Sequence, residues 1–95
     1  MASRGDPKLA EAFGQRVRDL RKHGASEPIT QERLAEAMGV TPGYIGQIER
    51  GITNVTLLTV TRVAIALDVD PADLVRGLRP TDRRARPARK APRRS

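Results

Sequence analysis

The chain has 95 residues, enough for one small folded domain. It contains no cysteine, which excludes disulfides and every zinc or iron–sulfur site that needs a thiolate. The net charge of +7 is unevenly distributed, because residues 79–95 hold eight Lys and Arg against one Asp while residues 1–78 are neutral. We therefore predict a neutral folded part and a basic tail.

Several classes of protein are disfavoured by what the sequence lacks. The N-terminal sequence MASRGDPKLA has no apolar segment of signal-peptide length, and no apolar run approaches ~18 residues. We therefore expect a cytoplasmic protein without a membrane partner. The single histidine, His23, lies in a loop-like stretch, and no serine, histidine or carboxylate cluster has catalytic spacing. We expect no enzyme activity, no metal, no cofactor and no small-molecule ligand.

The first predicted helix begins at Asp6, a good capping residue, and Pro7 follows at the favoured first position. Gly24 is expected to stop this helix. One apolar stripe at helical spacing indicates the face that enters the core: Leu9, Phe13, Val17 and Leu20.

Two short helices are predicted next. Thr30 can cap a second helix over residues 31–38, which Gly39 ends in the left-handed conformation. Thr41 can cap a third helix, which begins with a proline and ends at Gly51 in the same way. The connection over residues 38–41 is a short turn that contains glycine, the geometry of a helix-turn-helix unit.

A fourth helix starts at Asn54 or Thr56 and runs to about Leu67, and Asp70 followed by Pro71 starts a fifth. The chain is therefore predicted to be all-α, with one compact five-helix domain. The expected core face of the fourth helix is formed by Leu57, Val60, Val63, Ala64 and Leu67.

The third helix is expected to stand out from the body, because its apolar residues Ile45 and Ile48 attach only one face to the core. The residues that then point outward are Thr41, Gly43, Tyr44, Gln47 and Arg50. An exposed helix of this width fits the major groove of DNA. A glutamine can bond an adenine edge in two places, and Gln47 is the only long amide on this face.

Residues 13–75 resemble the lambda-repressor/Cro type of helix-turn-helix, the Xre family. The resemblance rests on TQERLAEAMGV, on Tyr44-Ile45-x-x-Ile48-Glu49-Arg50-Gly51, and on the end of the fourth helix, Ala64-Ile65-Ala66-Leu67. It implies a lambda-repressor-like fold whose third helix enters the major groove and which binds palindromic DNA sites as a dimer. The sequence looks most like the controller proteins of restriction–modification systems, although antitoxins and phage-type repressors share most of these features.

The resemblance also assigns roles by position. Gln31 resembles the glutamine that contacts a phosphate, and Arg21 with Glu49 match an arginine and a glutamate that often pair beneath the third helix. Expected base contacts come from Thr41, Gly43, Tyr44 and Gln47. Expected phosphate contacts come from Gln31, Arg50, Thr53 and Asn54.

A second apolar face on the fourth helix predicts a subunit interface. Leu58 and Ile65 are seven residues apart and so lie one above the other, away from the core face. Val75 and Leu78 add apolar surface that one small core cannot easily use. We expect a homodimer, although scattered surface hydrophobic residues are the alternative explanation.

We therefore predict a helix-turn-helix domain over residues 1–78 and a disordered, Arg/Pro-rich tail over residues 79–95, which has three prolines and no hydrophobic residue larger than alanine. The predicted function is a homodimeric, sequence-specific transcriptional regulator, nucleoid-associated and bound to an inverted-repeat operator in double-stranded DNA. The alternative function is an antitoxin or adaptor whose main partner is another protein, with the tail as its docking segment.

Overall fold

The structure, a computed structural model, describes residues 6–24, 27–81 and 88, and its regular secondary structure within these residues is entirely helical. The five helices are α1 (Pro7–His23), α2 (Gln31–Met38), α3 (Pro42–Arg50), α4 (Leu57–Leu67) and α5 (Pro71–Val75). The prediction of an all-α, five-helix domain is confirmed. Within these residues no helix is long and apolar enough to cross a membrane. Most of the tail predicted to be disordered, residues 82–87 and 89–95, lies outside the described residues.

Each helix begins where a side-chain oxygen accepts a hydrogen bond from a backbone N–H of its first turn. For α4 the sequence left two candidates, and the structure selects Thr56, whose hydroxyl accepts from the backbone N–H of Thr59 at 3.1 Å. Loss of such a cap typically costs about 1 kcal/mol, so five caps define the helix starts strongly. The five capping residues are Asp6, Thr30, Thr41, Thr56 and Asp70.

The ends of α1, α2 and α3 lie at the predicted glycines. Gly39 and Gly51 end α2 and α3 in the left-handed conformation, with φ of 73° and 74°. Asp68 does the same for α4 with φ of 59°, a conformation that aspartate tolerates better than most residues. Gly24 ends α1, as predicted, but in an extended conformation, with its N–H bonded to the carbonyl of Leu20.

The core is almost entirely aliphatic and receives side chains from every helix. Leu57 was expected in this core, but that prediction is wrong, because its side chain is 79% exposed. Leu57 is the first residue of α4 and lies beyond the edge of the core, which α4 reaches only one turn later at Val60. The buried hydrophobic residues are Phe13, Val17, Leu34, Ala35, Met38, Ile45, Ile48, Val60, Val63, Ala64, Leu67 and Leu74.

Two glycines allow the backbones of α1 and α3 to touch. A Cβ atom added to Gly14 would lie 2.6 Å from the carbonyl oxygen of Glu49 and closer still to that of Ile48. A Cβ atom added to Gly51 would lie 2.6 Å from the Cα of Glu11. Because real Cβ atoms do not approach so closely, larger residues at these positions would push the C-terminal half of α3 away from α1.

The short helix α5 is attached to α1 by a long-range side chain. The guanidinium of Arg16 donates to the backbone carbonyls of Asp73 and Arg76, at 2.9 and 3.0 Å. These carbonyls belong to the last turn of α5 and its end, where no further helical N–H is available to them. Leu74 beneath them is fully buried, so α5 is held by both packing and hydrogen bonds.

We predict that Gly14→Ala lowers the free energy of unfolding by about 1–3 kcal/mol, because the added methyl group collides with the backbone of α3. Gly43→Ala is the matched control, since an added Cβ atom there has only Thr41 Oγ1 nearby, at 3.9 Å. The free energy of unfolding of Gly43→Ala should be equal to that of the original chain within about 1 kcal/mol, or higher. Urea denaturation measures both, and equal stability of the two variants would contradict the close crossing.

Candidate nucleic-acid interface

A tight turn fixes α3 relative to α2. The N–H of Val40 donates to the carbonyl of Ala35 at 3.0 Å, which closes the end of α2 immediately before α3 begins. Ala35 itself is 1% exposed, so this turn is packed against the core. Inward-facing residues of α3, among them Ile45 and Ile48, then attach it to the core by one face only.

The opposite face of α3 carries most of the predicted DNA-contacting residues. Thr41, Gly43, Gln47 and Arg50 are exposed. Tyr44 is half-buried because its ring packs against the edge of the core, so only part of this side chain remains on the surface. The face is polar, uninterrupted by a neighbouring helix, and ends in a positive charge.

Gly46 has a role that the sequence did not reveal. It is buried, and a Cβ atom added to it would lie 3.2 Å from Nη1 of Arg50. The guanidinium of Arg50 therefore folds back along α3 across the glycine. A side chain at position 46 would displace the cation at the end of the helix.

Beneath α3 lies a buried polar network centred on Glu49. Arg21 of α1 donates to both oxygens of this carboxylate, at 2.7 Å from Nε and 3.0 Å from Nη2. Gln31, the first residue of α2, donates to the same carboxylate at 2.9 Å. The side chains of Arg21 and Glu49 are only 8% and 2% exposed. Three helices thus meet at one ion pair.

The position of Gln31 differs from a free phosphate-contacting side chain. Its amide nitrogen has two N–H groups, and one of them is bonded to Glu49. The residue remains half-exposed at the start of α2, so its second N–H is available to another acceptor. Arg21 also bonds the carbonyl of Ile29 at 2.9 Å, which fixes the chain just before α2.

The environment keeps Glu49 ionised. Burial raises the pKa of this carboxyl, but hydrogen bonds from Arg21 and Gln31 and the positive charges of Arg21 and Arg18 outweigh burial. The net result is a pKa below the ordinary value of 4.5. The carboxylate is therefore charged at neutral pH, as a buried partner of arginine must be.

The loop after α3 is polar and mostly exposed. The hydroxyl of Thr53 makes a long hydrogen bond, 3.4 Å, to the carbonyl of Asn54, and the side chain of Asn54 is exposed. Ile52 lies between α3 and these two residues and is 64% exposed. The sequence pattern did not predict this exposed apolar side chain. Both predicted phosphate-contacting residues of the loop are thus on the surface, at the C-terminal end of α3.

Three of the four predicted interface residues are exposed apolar side chains of α4 and α5. Leu58 and Ile65 are 63% and 79% exposed, and Val75 is 44% exposed. Leu78 differs from them because it is half-buried against the core. Leu57, which was expected in the core, is also exposed, so it adds a third large apolar side chain to the surface of α4 beside Leu58.

A helix that is capped, held by a buried network and exposed along one polar face defines a helix-turn-helix protein of the DNA-binding class. Residues 17–74 match the family described as helix-turn-helix, and the chain belongs to that family. It is a DNA-binding transcriptional regulator, and double-stranded DNA is its partner. The resemblance to the Xre family seen in the sequence is confirmed.

Individual relatives show which kinds of regulator the chain is similar to. The chain is 40% identical over 63 residues to control protein C.BamHI of Bacillus amyloliquefaciens. The aligned segment covers 66% of this chain and 75% of that protein. Among solved structures it resembles the restriction–modification controller protein C.AhdI of Aeromonas hydrophila, with 39% identity, a TM-score of 0.64, and coverage of 70% and 93%. It also resembles the P22 c2 repressor in complex with a synthetic operator, with 31% identity, a TM-score of 0.57, and coverage of 68% and 94%. These relatives are regulators rather than enzymes.

We predict that Glu49→Gln lowers the free energy of unfolding at pH 7 by roughly 3 kcal/mol, because Arg21 then stays buried without a counter-charge. Asp73→Asn is the matched control. It breaks the ion pair between Asp73 and Arg76, whose side chains are 40% and 66% exposed respectively. Loss of this exposed pair should cost less than about 1 kcal/mol of unfolding free energy.

Acid should remove the difference between Glu49→Gln and the original chain. Because the folded-state pKa of Glu49 is lowered, its contribution is complete above pH 4.5 and is lost as the pH falls through the folded-state pKa. Denaturant unfolding at a series of pH values measures this convergence. A constant difference down to strongly acidic pH would show that the charge of Glu49 is not what stabilises the fold.

Proposed function

We propose that the chain binds an inverted-repeat operator as a homodimer and regulates transcription there, and that it is a controller of the restriction–modification type which acts on its own operon. The exposed polar face of α3 carries this proposal. The identity to control protein C.BamHI and to the controller C.AhdI supports the assignment to that type. Action on an operon places the protein in the cytoplasm, associated with the nucleoid.

Base recognition is assigned to the first two turns of α3. Gln47 is exposed at its centre and has the donor and acceptor that match an adenine edge. The hydroxyl of Thr41 accepts the capping bond from Tyr44 N, so its methyl group is the part suited to a thymine methyl. Gly43 is exposed, and the absence of a side chain lets the start of the helix approach the bases. Tyr44 contributes the exposed part of its ring.

Phosphate contacts are assigned to both sides of this face. The second N–H of Gln31 reaches one strand from the start of α2, while its first N–H keeps the amide oriented through Glu49. Arg50 contributes the charge at the end of α3. Thr53 and Asn54 extend the contact along the loop as neutral groups. Such contacts orient the helix on the duplex without reading its sequence.

A homodimer is assigned to the apolar surface of α4 and α5. Leu58 and Ile65, with Leu57 beside them, present three large aliphatic side chains to solvent. Val75 and the half-buried Leu78 continue this surface onto α5 and the chain after it. Two-fold symmetry about such a patch places the two copies of α3 about one DNA turn apart, ~34 Å, and matches an inverted repeat.

The basic tail is assigned the electrostatic attraction to DNA that the neutral folded domain lacks. The helix-turn-helix domain over residues 1–78 is neutral, so the eight cations of residues 79–95 provide the sequence-independent attraction to DNA. Shape and deformability of the operator add specificity where direct base contacts are few. Affinity should therefore depend on salt mainly through the tail.

We predict that Gln47→Ala weakens operator binding by roughly 1–3 kcal/mol, with the loss confined to one base-pair position in each half-site. The measurement is fluorescence anisotropy on the preferred site and on duplexes with single base pairs changed. Gln15→Ala on the exposed face of α1 is the matched control and should leave affinity unchanged. If Gln47→Ala weakened binding equally on all duplexes, Gln47 would be a backbone contact.

We predict that Ile65→Glu converts the dimer to a monomer, because two carboxylates would be brought together in an apolar interface. Ala12→Glu, which puts the same charge on exposed α1, is the control and should remain dimeric. Sedimentation velocity at micromolar concentration measures both. A monomeric original chain, or an Ile65→Glu variant that stays dimeric, would exclude this interface.

A further inference from the structure

The chain after α5 is tied to the beginning of the molecule. The backbone N–H of Thr81 donates to Oδ2 of Asp6 at 2.5 Å, and the hydroxyl of Thr81 donates to Oδ1 at 2.7 Å. The same carboxylate caps α1 by accepting from the N–H of Leu9 at 3.1 Å. We call the pair of Asp6 and Thr81 the clasp. Leu78, half-buried against the core, anchors the same segment three residues earlier.

The clasp lies beside the loop between α3 and α4. The backbone of Gly51 touches that of Glu11, so the first turns of α1 pack directly on the end of α3. A surface cavity of about 380 Å³ adjoins this contact. Asp6, Pro7, Ala10 and Glu11 line one side of it, and residues 51–54 line the other. The chain therefore leaves the folded body next to Thr53 and Asn54, the loop residues assigned to phosphate contact.

The sequence that follows is strongly basic. Residues 82–95 contain seven Lys and Arg and one Asp. The exit point itself is flanked by the acidic residues Asp6 and Glu11. A basic segment that begins beside a phosphate-facing loop is placed to neutralise the same DNA strand.

The proposed dimer interface indicates which part of the operator this loop would face. Leu57 and Leu58 follow the loop directly and belong to the stripe assigned to the partner subunit. The loop must then lie on the side of each protomer that faces the two-fold axis. On an inverted repeat this is the inner end of the half-site, next to the base pairs that separate the two half-sites.

We propose that the clasp directs residues 82–95 onto the DNA backbone between the two half-sites, where their cations neutralise phosphates that the folded domain does not reach. This inference rests on the proposed function, because it needs a dimer bound to an inverted repeat. It makes Asp6 and Thr81 positioning residues for the tail, with no contact of their own to DNA.

The test maps the path of the tail in the full-length protein. The chain has no cysteine, so Ala85→Cys supplies a single thiol for attachment of an iron–EDTA cleavage reagent. Position 85 is four residues beyond the clasp and thus within roughly 14 Å of it along the chain. Cleavage of a labelled operator duplex should fall in the base pairs between the half-sites.

The clasp is then opened in the same background. Thr81→Pro removes both the N–H and the hydroxyl donor, whereas the matched control Thr81→Ser keeps both. Asp6→Asn is an independent variant, because asparagine still caps α1 but loses the acceptor for the Thr81 N–H. Thr81→Pro and Asp6→Asn should spread the cleavage beyond the central base pairs and weaken operator affinity severalfold. Thr81→Ser should reproduce the original pattern, and thermal unfolding verifies that each variant is folded.

Two results would overturn the inference while leaving the proposed function intact. One is cleavage confined to the outer flanks of a bound inverted repeat, and the other is the same central cleavage for Thr81→Pro and Thr81→Ser. If neither the Ala85→Cys protein nor the original chain bound any inverted repeat, the inference and the proposed function would both be wrong. A footprint of the original chain on the operator shows whether the proposed function holds when the inference fails.

Discussion

The carboxylate of Glu49 holds together three segments that are far apart in the sequence. It receives two hydrogen bonds from Arg21 of α1 and one from Gln31 of α2, and Arg21 continues to the carbonyl of Ile29. A buried ion pair of this kind adds little stability compared with apolar packing, because both charges must leave water. Its hydrogen bonds are directional, however, and they set the angle at which α3 leaves the body.

Backbone contact completes the same constraint. Gly14 and Gly51 let α1 lie directly against the C-terminal half of α3, so the ion pair operates over a short and rigid distance. The turn around Gly39 fixes the other end of α3, and Ile45 and Ile48 are the apolar side chains of α3 that pack in the core. With one face committed in this way, the outer face is free for DNA. In the proposed complex, the small residues of this face allow close approach, and Gln47, Arg50 and the exposed part of Tyr44 are its larger groups.

Local signals in the sequence were sufficient for the helices. Each cap and each left-handed glycine acts within a few residues, so Thr30, Thr41, Gly39 and Gly51 could be interpreted without any tertiary information. The position of a residue relative to the edge of the core is a property of the whole fold. Leu57 therefore had the right spacing for the core face and still proved exposed.

The features that sequence reasoning missed depend on contacts between distant segments. The bond from Gln31 to Glu49 spans 18 residues, and the clasp between Asp6 and Thr81 spans 75. Gly14 has helical spacing and no distinctive neighbour, so nothing local showed that a methyl group there would strike another helix. The roles assigned to the exposed residues of α3 and its loop remain predictions, because contact with DNA depends on the partner as well as the chain.

The central claim is that a homodimer reads an inverted repeat through two copies of α3. Selection of bound duplexes from a random DNA pool tests it most directly, because one experiment gives the sequence, its symmetry and the half-site spacing. The account predicts an enriched inverted repeat whose half-sites are centred about one helical turn apart, ~34 Å. Enrichment of a single asymmetric site, or of no sequence at all, would contradict it.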